Sequence, residues 1–128
     1  MVSYSSNGKK GHYTYIYSAS AQQTTLIVPD KDADGLSSGV IIHRTLMKLG
    51  LDSQHLHVHL VQKGSNIHEE SERKLMLEKS PKFVIVLDQG SRGGPPVIDS
   101  DGTRCMVIDH HLSDEFPKDA IVTTIRQY

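Results

Sequence analysis

Three short runs of aliphatic and β-branched residues, "TTLIV", "FVIVLD" and "RCMVID", recur along this chain, and each meets an aspartate at or just beyond its C-terminal end. Runs this short and this uniformly apolar read as strands buried on both faces, the pattern of a parallel sheet covered by helices. The first closes at Pro29 and leads into Asp30, Asp32, Asp34 and Gly35. A helix is expected next, with Ser37 or Ser38 as its cap, Val40, Ile41, Leu46, Met47 and Leu49 as its apolar stripe, and Gly50 as its stop. The strict alternation in "HLHVHLV" predicts a second strand, and "HEESERKLMLEKS" a helix ended by Pro81 whose charges form a solvated face. After the third run, a Gly- and Pro-rich connection, "QGSRGGPPVIDSDG", leads to the fourth strand, and "AIVTTI" supplies a last one. Strands alternating with helices predict an α/β, Rossmann-like three-layer domain: a mainly parallel sheet of about five strands flanked by helices, with right-handed crossovers.

A length of 128 residues with 37% hydrophobic content fits one domain with a modest core. Residues 1–23 read as a partly flexible N-terminal arm. Its first part is rich in Ser, Gly, Asn and Lys, and the alternating Tyr13, Tyr15 and Tyr17 suggest an edge strand or a packed aromatic arm. Residues 24–128 form the domain. A net charge of -1 carries no global signature of a nucleic acid or membrane partner. The lone Cys105 excludes an internal disulfide framework, and no apolar run approaches the roughly 20 residues that cross a bilayer. The start of the chain lacks the apolar core of a secretory signal, so an intracellular location, cytoplasmic or nuclear, is expected.

Three carboxylates within five positions repel one another unless they are solvated or meet a cation. In an open parallel α/β sheet, ligands bind beyond the C-terminal ends of the strands. Asp30 and Asp32 follow the first strand, Asp88 ends the third, and Asp109, His110 and His111 end the fourth, so these residues should converge on one edge. A carboxylate-rich set with imidazoles suits Mn2+ or Mg2+ better than thiolate-rich zinc chemistry. Two such ions, roughly 3.5–4 Å apart, would activate a water and stabilise charge on a phosphoryl group. Each acid alone could equally be a helix cap or a solvated turn; their joint placement favours the metal site.

Other residues carry weaker signals. His55, His57 and His59 share one face of the second predicted strand, which suits a polar contact with a helix or subunit better than a surface metal site. Lys63 to Asn66 leave the strand edge that carries the acids and could line a groove. Arg92 stands where a phosphate-binding cation would be useful, or is a solvated charge. Cys105 reads as a small buried hydrophobe rather than a nucleophile.

The motifs also resemble the DHH phosphoesterase superfamily, named for the triplet that stands here as Asp109-His110-His111. "VPDKDADG" resembles the family's first motif, "VIVLDQG" its second and "VIDHHLSDEFPKDA" its third, and the match runs from about Thr24 to the end of the chain. The Asp-x-Asp-Ala-Asp-Gly form, with Leu26 four positions before Asp30, is more similar to the RecJ-like branch than to the pyrophosphatase branch. The resemblance implies a manganese-preferring, two-metal phosphoesterase acting on single-stranded nucleic acid or another small phosphodiester. By motif position, Asp30, Asp32, Asp88 and His110 would be metal ligands, with Asp88 bridging. Asp109 would orient His110, His111 would face the phosphate, and Asp34 would support the site. The family's fourth motif and its C-terminal domain are expected beyond Tyr128, which makes 24–128 an incomplete domain, either a fragment of a longer protein or a reduced, inactive member; a homo-oligomer or a missing C-terminal domain is the protein partner expected. The alternative is a non-catalytic scaffold or dimerisation module of a larger assembly.

Overall fold

The computed structural model describes residues 22–124; the alternating tyrosines of the arm lie outside them. Five strands, β1 (Thr25–Pro29), β2 (Leu56–Val58), β3 (Phe83–Leu87), β4 (Arg104–Asp109) and β5 (Ile121–Thr124), pair in parallel in the order β2-β1-β3-β4-β5. Helix α1 (Ala33–Lys48) joins β1 to β2, and α2 (Glu70–Leu77) joins β2 to β3. After β2 the chain returns past β1 to build β3 on its other side. The order therefore reverses between β1 and β3, the place where doubly wound sheets open a crevice for ligands.

β1 and β3 are buried along their whole length, as their unbroken apolar runs require. Alternate residues feed two cores. Ile27, Ile85, Leu87 and Met106 pack with Leu46 on the α1 side, while Leu26, Val28, Val84, Val86 and Val107 pack with Met76 of α2 on the other. Val97 and Ile98, from the Gly- and Pro-rich connection, are buried in the second core and extend its cover where no helix stands. Three layers result.

Three local expectations are corrected. Asp32, not Ser37 or Ser38, caps α1, its Oδ1 accepting the Gly35 N–H at 2.8 Å. The expected apolar stripe is largely on the surface: Val40 is 52% and Ile41 63% exposed, and only Leu46 of that stripe is buried. The reason lies in Gly35 and Gly39. A Cβ on Gly35 would stand 2.3 Å from the Asp30 carbonyl oxygen, and one on Gly39 would stand 3.2 Å from Pro29 Cβ. The helix thus approaches β1 through glycines, and the inward row runs Gly35, Gly39, Ile42, Leu46 at helical spacing.

The third correction concerns "HLHVHLV". Strand β2 ends at Val58, His55 belongs to a short 3-10 turn, and Val58 and Leu60 are exposed. His59 makes the polar helix contact expected of this face: its Nε2 lies 2.7 Å from Oε2 of Glu72 in α2. Glu72 is fully buried, against the expectation of a solvated helix face; its other oxygen accepts the Gln62 N–H at 2.9 Å. Burial opposes its ionisation, but the Gln62 N–H and the His59 ring outweigh that, and its pKa lies below the usual glutamate value.

Candidate metal centre

Strand register builds the site. Pro29 pairs with Leu87, Leu87 with Ile108, and Asp109 with Thr124, so the acids that follow β1 and β3 stand level with the end of β4. Backbone bonds continue the row, the Asp30 N–H donating to the Leu87 carbonyl and the Asp88 N–H to the Ile108 carbonyl, both at 2.9 Å. Asp88 then takes a left-handed conformation, φ 60°, which aspartate tolerates better than most residues, and Gly90 follows at φ 94°. The chain turns sharply there and leaves the Asp88 carboxylate in the crevice.

Two donor groups overlap at this residue. Oxygens of Asp30, Asp32 and Asp88 come within 4.8 Å of one another, and so do donor atoms of Asp88, Asp109, His110 and His111. Asp88 belongs to both. His110 Nε2 lies 2.7 Å from Asp88 Oδ1, and His111 Nδ1 lies 2.5 Å from Asp109 Oδ1, which also accepts the His111 N–H at 3.2 Å. The expected pairing of Asp109 with His110 is therefore replaced: Asp109 holds His111, and Asp88 holds His110. Asp34, exposed in the first turn of α1, stands outside both groups, as does the exposed Arg92.

The electrostatics favour a cation. Asp88 is almost wholly buried and its Oδ2 meets no hydrogen-bond donor. Burial and then the neighbouring Asp32 carboxylate push its pKa up, against the pull of His110 and His111. A hydrogen bond between the two carboxylates would need a shared proton; a divalent ion relieves the repulsion without one. Asp109 shows the opposite balance. Its burial is outweighed by the Ser91 hydroxyl and by His111, so its pKa lies low, although Ser91 Oγ completes no hydrogen bond of proper geometry. The hydrogen bond and charge of Asp109 raise the pKa of His111. The donors present, carboxylates with an imidazole, fit a hard divalent cation.

A cleft of about 330 Å³ opens beside the centre between α1 and the ends of β3, β4 and β5, with Ile41, Ile42 and Ile108 as walls and Asp88 and His110 at its edge. Lys63 and Asn66 are exposed, and Ser65 and Asn66 are engaged with Glu69 at the start of α2. Burial drives the Cys105 thiol up to about 12, which removes it as a nucleophile. Sequence reasoning missed His68, Arg73 and Ser91, which carry buried polar atoms without hydrogen-bond partners. None sits at a strand end or repeats with a period, so no local pattern marked them.

A parallel doubly wound sheet with carboxylates and imidazoles gathered at its strand ends defines an α/β domain with a candidate site for divalent ions. Residues 24–128 match the model of the DHH family, N-terminal domain, and the chain belongs to that family. It is 33% identical over 106 residues to the single-stranded-DNA-specific exonuclease RecJ of Haemophilus influenzae, a match that spans 79% of this chain and 18% of that protein. A crystal structure of RecJ in complex with Mn2+ from Thermus thermophilus superposes with a TM-score of 0.61 at 21% identity, over 85% of this chain and 16% of that one. A second, of exonuclease RecJ bound to manganese, gives 0.60 at 20% identity, over 86% of this chain and 31% of that one. The fold is shared with both. No helix among the described residues is long and apolar enough to cross a membrane.

Proposed function

We propose that this chain is the metal-binding part of a phosphoesterase that hydrolyses phosphodiester bonds of single-stranded nucleic acid or short oligonucleotides with two divalent ions, Mn2+ or Mg2+. The observation that carries the reading is the position of Asp88 in both donor groups, with one buried oxygen unpartnered. Asp30, Asp32 and Asp88 would hold one ion, and Asp88 with His110 the other. Ions held by these residues would supply a water of lowered pKa and would neutralise charge that develops on the phosphoryl group. The residues around them have separable tasks. Asp109 fixes the His111 ring through Nδ1 and favours its protonated form, leaving Nε2 as a donor for a phosphate oxygen. Asp32 caps α1 through Oδ1 and so holds the acidic loop in place. The match to a nuclease named for single-stranded DNA supports the substrate class. The test is Mn2+-dependent release of nucleotides from an end-labelled single strand. Loss of release in Asp88→Ala and His110→Ala is expected; release that persists in EDTA, or no release in Mn2+, contradicts the proposal.

A further inference from the structure

The turn before α2 packs on the loop that leaves β3. Ile67 Cδ1 approaches Gly90 so closely that a Cβ there would stand 3.1 Å away, and the Arg92 N–H folds back to the Gly90 carbonyl at 2.8 Å. This brings His68, just before α2, near the Ser91-Arg92 segment, and Arg73 follows within α2 itself. His68 Nδ1 and Arg73 Nε are both buried with no hydrogen-bond partner, an expensive arrangement for polar nitrogens. No ion pair forms at Arg73 or Arg92 among the described residues. Burial, then Arg92, then Arg73 depress the pKa of His68, so the two guanidiniums act on one imidazole. Only Gln89 and Gly90 separate Asp88 from Ser91, and Ser91 lies beside the Asp109 carboxylate.

We propose that His68, Arg73 and Arg92 form an anion subsite that takes a second, non-scissile phosphate of the substrate, beside the metal centre. Two guanidiniums outside any ion pair among the described residues and an unpartnered imidazole nitrogen are donors that an anion would satisfy, and guanidinium matches phosphate oxygens in geometry as well as charge. The inference rests on the phosphodiesterase reading for the identity of the phosphate, while binding of the anion itself does not need the metal ions. The phosphate could come from the next link of a strand or from a terminal monoester; the chemistry recognised is the same.

The test uses the 128-residue chain with labelled histidines, in EDTA, titrated with inorganic phosphate and followed by the His68 ring resonances. A saturable shift with a rise in the His68 pKa is expected, since a bound anion favours the imidazolium. Arg73→Gln and Arg92→Gln should each weaken binding by about tenfold, the usual loss of a charge-assisted hydrogen bond. Arg92 is exposed on a loop, so its variant tests the subsite even if the Arg73 variant fails to fold. No saturable shift, or the same affinity in Arg92→Gln, overturns the subsite. Comparing a terminally phosphorylated mononucleotide with a trinucleotide lacking terminal phosphate then separates the two sources, the tighter binder naming the one used. EDTA keeps the outcomes distinct: phosphate binding without Mn2+-dependent hydrolysis contradicts the function proposed above, and hydrolysis without phosphate binding contradicts this subsite alone.

Discussion

His110 Nε2 lies 2.7 Å from Asp88 Oδ1, a contact between the ends of two adjacent parallel strands. It leaves Asp88 Oδ2 buried without a hydrogen-bond donor, while the neighbouring Asp32 carboxylate pushes the Asp88 pKa up. One oxygen of the carboxylate thus meets an imidazole and the other meets no donor. That asymmetry, and the residues that hold it, have measurable consequences.

Asp109 acts on His111. In the metal-free chain, replacing Asp109 by Asn removes the hydrogen bond and charge that raise the His111 pKa, so an NMR titration should show that pKa falling toward the ordinary value of 6.5. In the metal-loaded protein the same change should lower hydrolysis by about 10–100-fold, the usual effect of unfixing a histidine beside a metal site.

Glu72 and His59 tie α2 to the end of β2. Glu72→Ala leaves His59 and the Gln62 N–H without their acceptor and should cost about 3 kcal/mol in urea unfolding. The acid behaviour follows from the direction of the shift. The folded pKa of Glu72 lies below its ordinary 4.5, so its contribution is complete above 4.5 and is lost as the pH falls through the lower, folded value. Glu72→Gln should flatten the decline of stability in that window, which urea unfolding at a series of acid pH values would show.

Gly35 carries the close approach of α1 to the acidic loop. The atoms a Cβ would strike, Asp30 O, C and N at 2.3–2.7 Å, are all backbone and cannot swing aside. Gly35→Ala should destabilise the fold by about 1–3 kcal/mol and weaken Mn2+ binding by displacing Asp30. Gly39→Ala meets only the Pro29 side chain, at 3.2–3.3 Å, and should cost less and leave Mn2+ affinity near that of the parent. Thermal melts and Mn2+ titrations of the two variants make the comparison.

The strand ends were legible because each acid follows a run too short and too apolar to be anything but a buried strand, and parallel register then aligns Asp30, Asp88 and Asp109. The partners within the site were not legible. Sequence cannot tell which of two adjacent histidines Asp109 will hold, because a left-handed turn at Asp88 decides where the neighbouring carboxylate points. At His59 the alternation pointed to a polar helix contact but not to its partner: β2 stops at Val58, and the side chain meets a glutamate that reads as one charge among several on a helix. The outward face of Val40 and Ile41 was hidden for a related reason: small residues, not large ones, mark where α1 touches the sheet.

The most direct measurement is calorimetric titration of the chain with Mn2+, beside Asp88→Asn and Asp32→Ala. Two bound ions are predicted for the parent, with loss of both in Asp88→Asn and of one in Asp32→Ala, because Asp88 alone is common to the two donor groups. No binding by the parent, or two ions still bound by Asp88→Asn, would contradict the account.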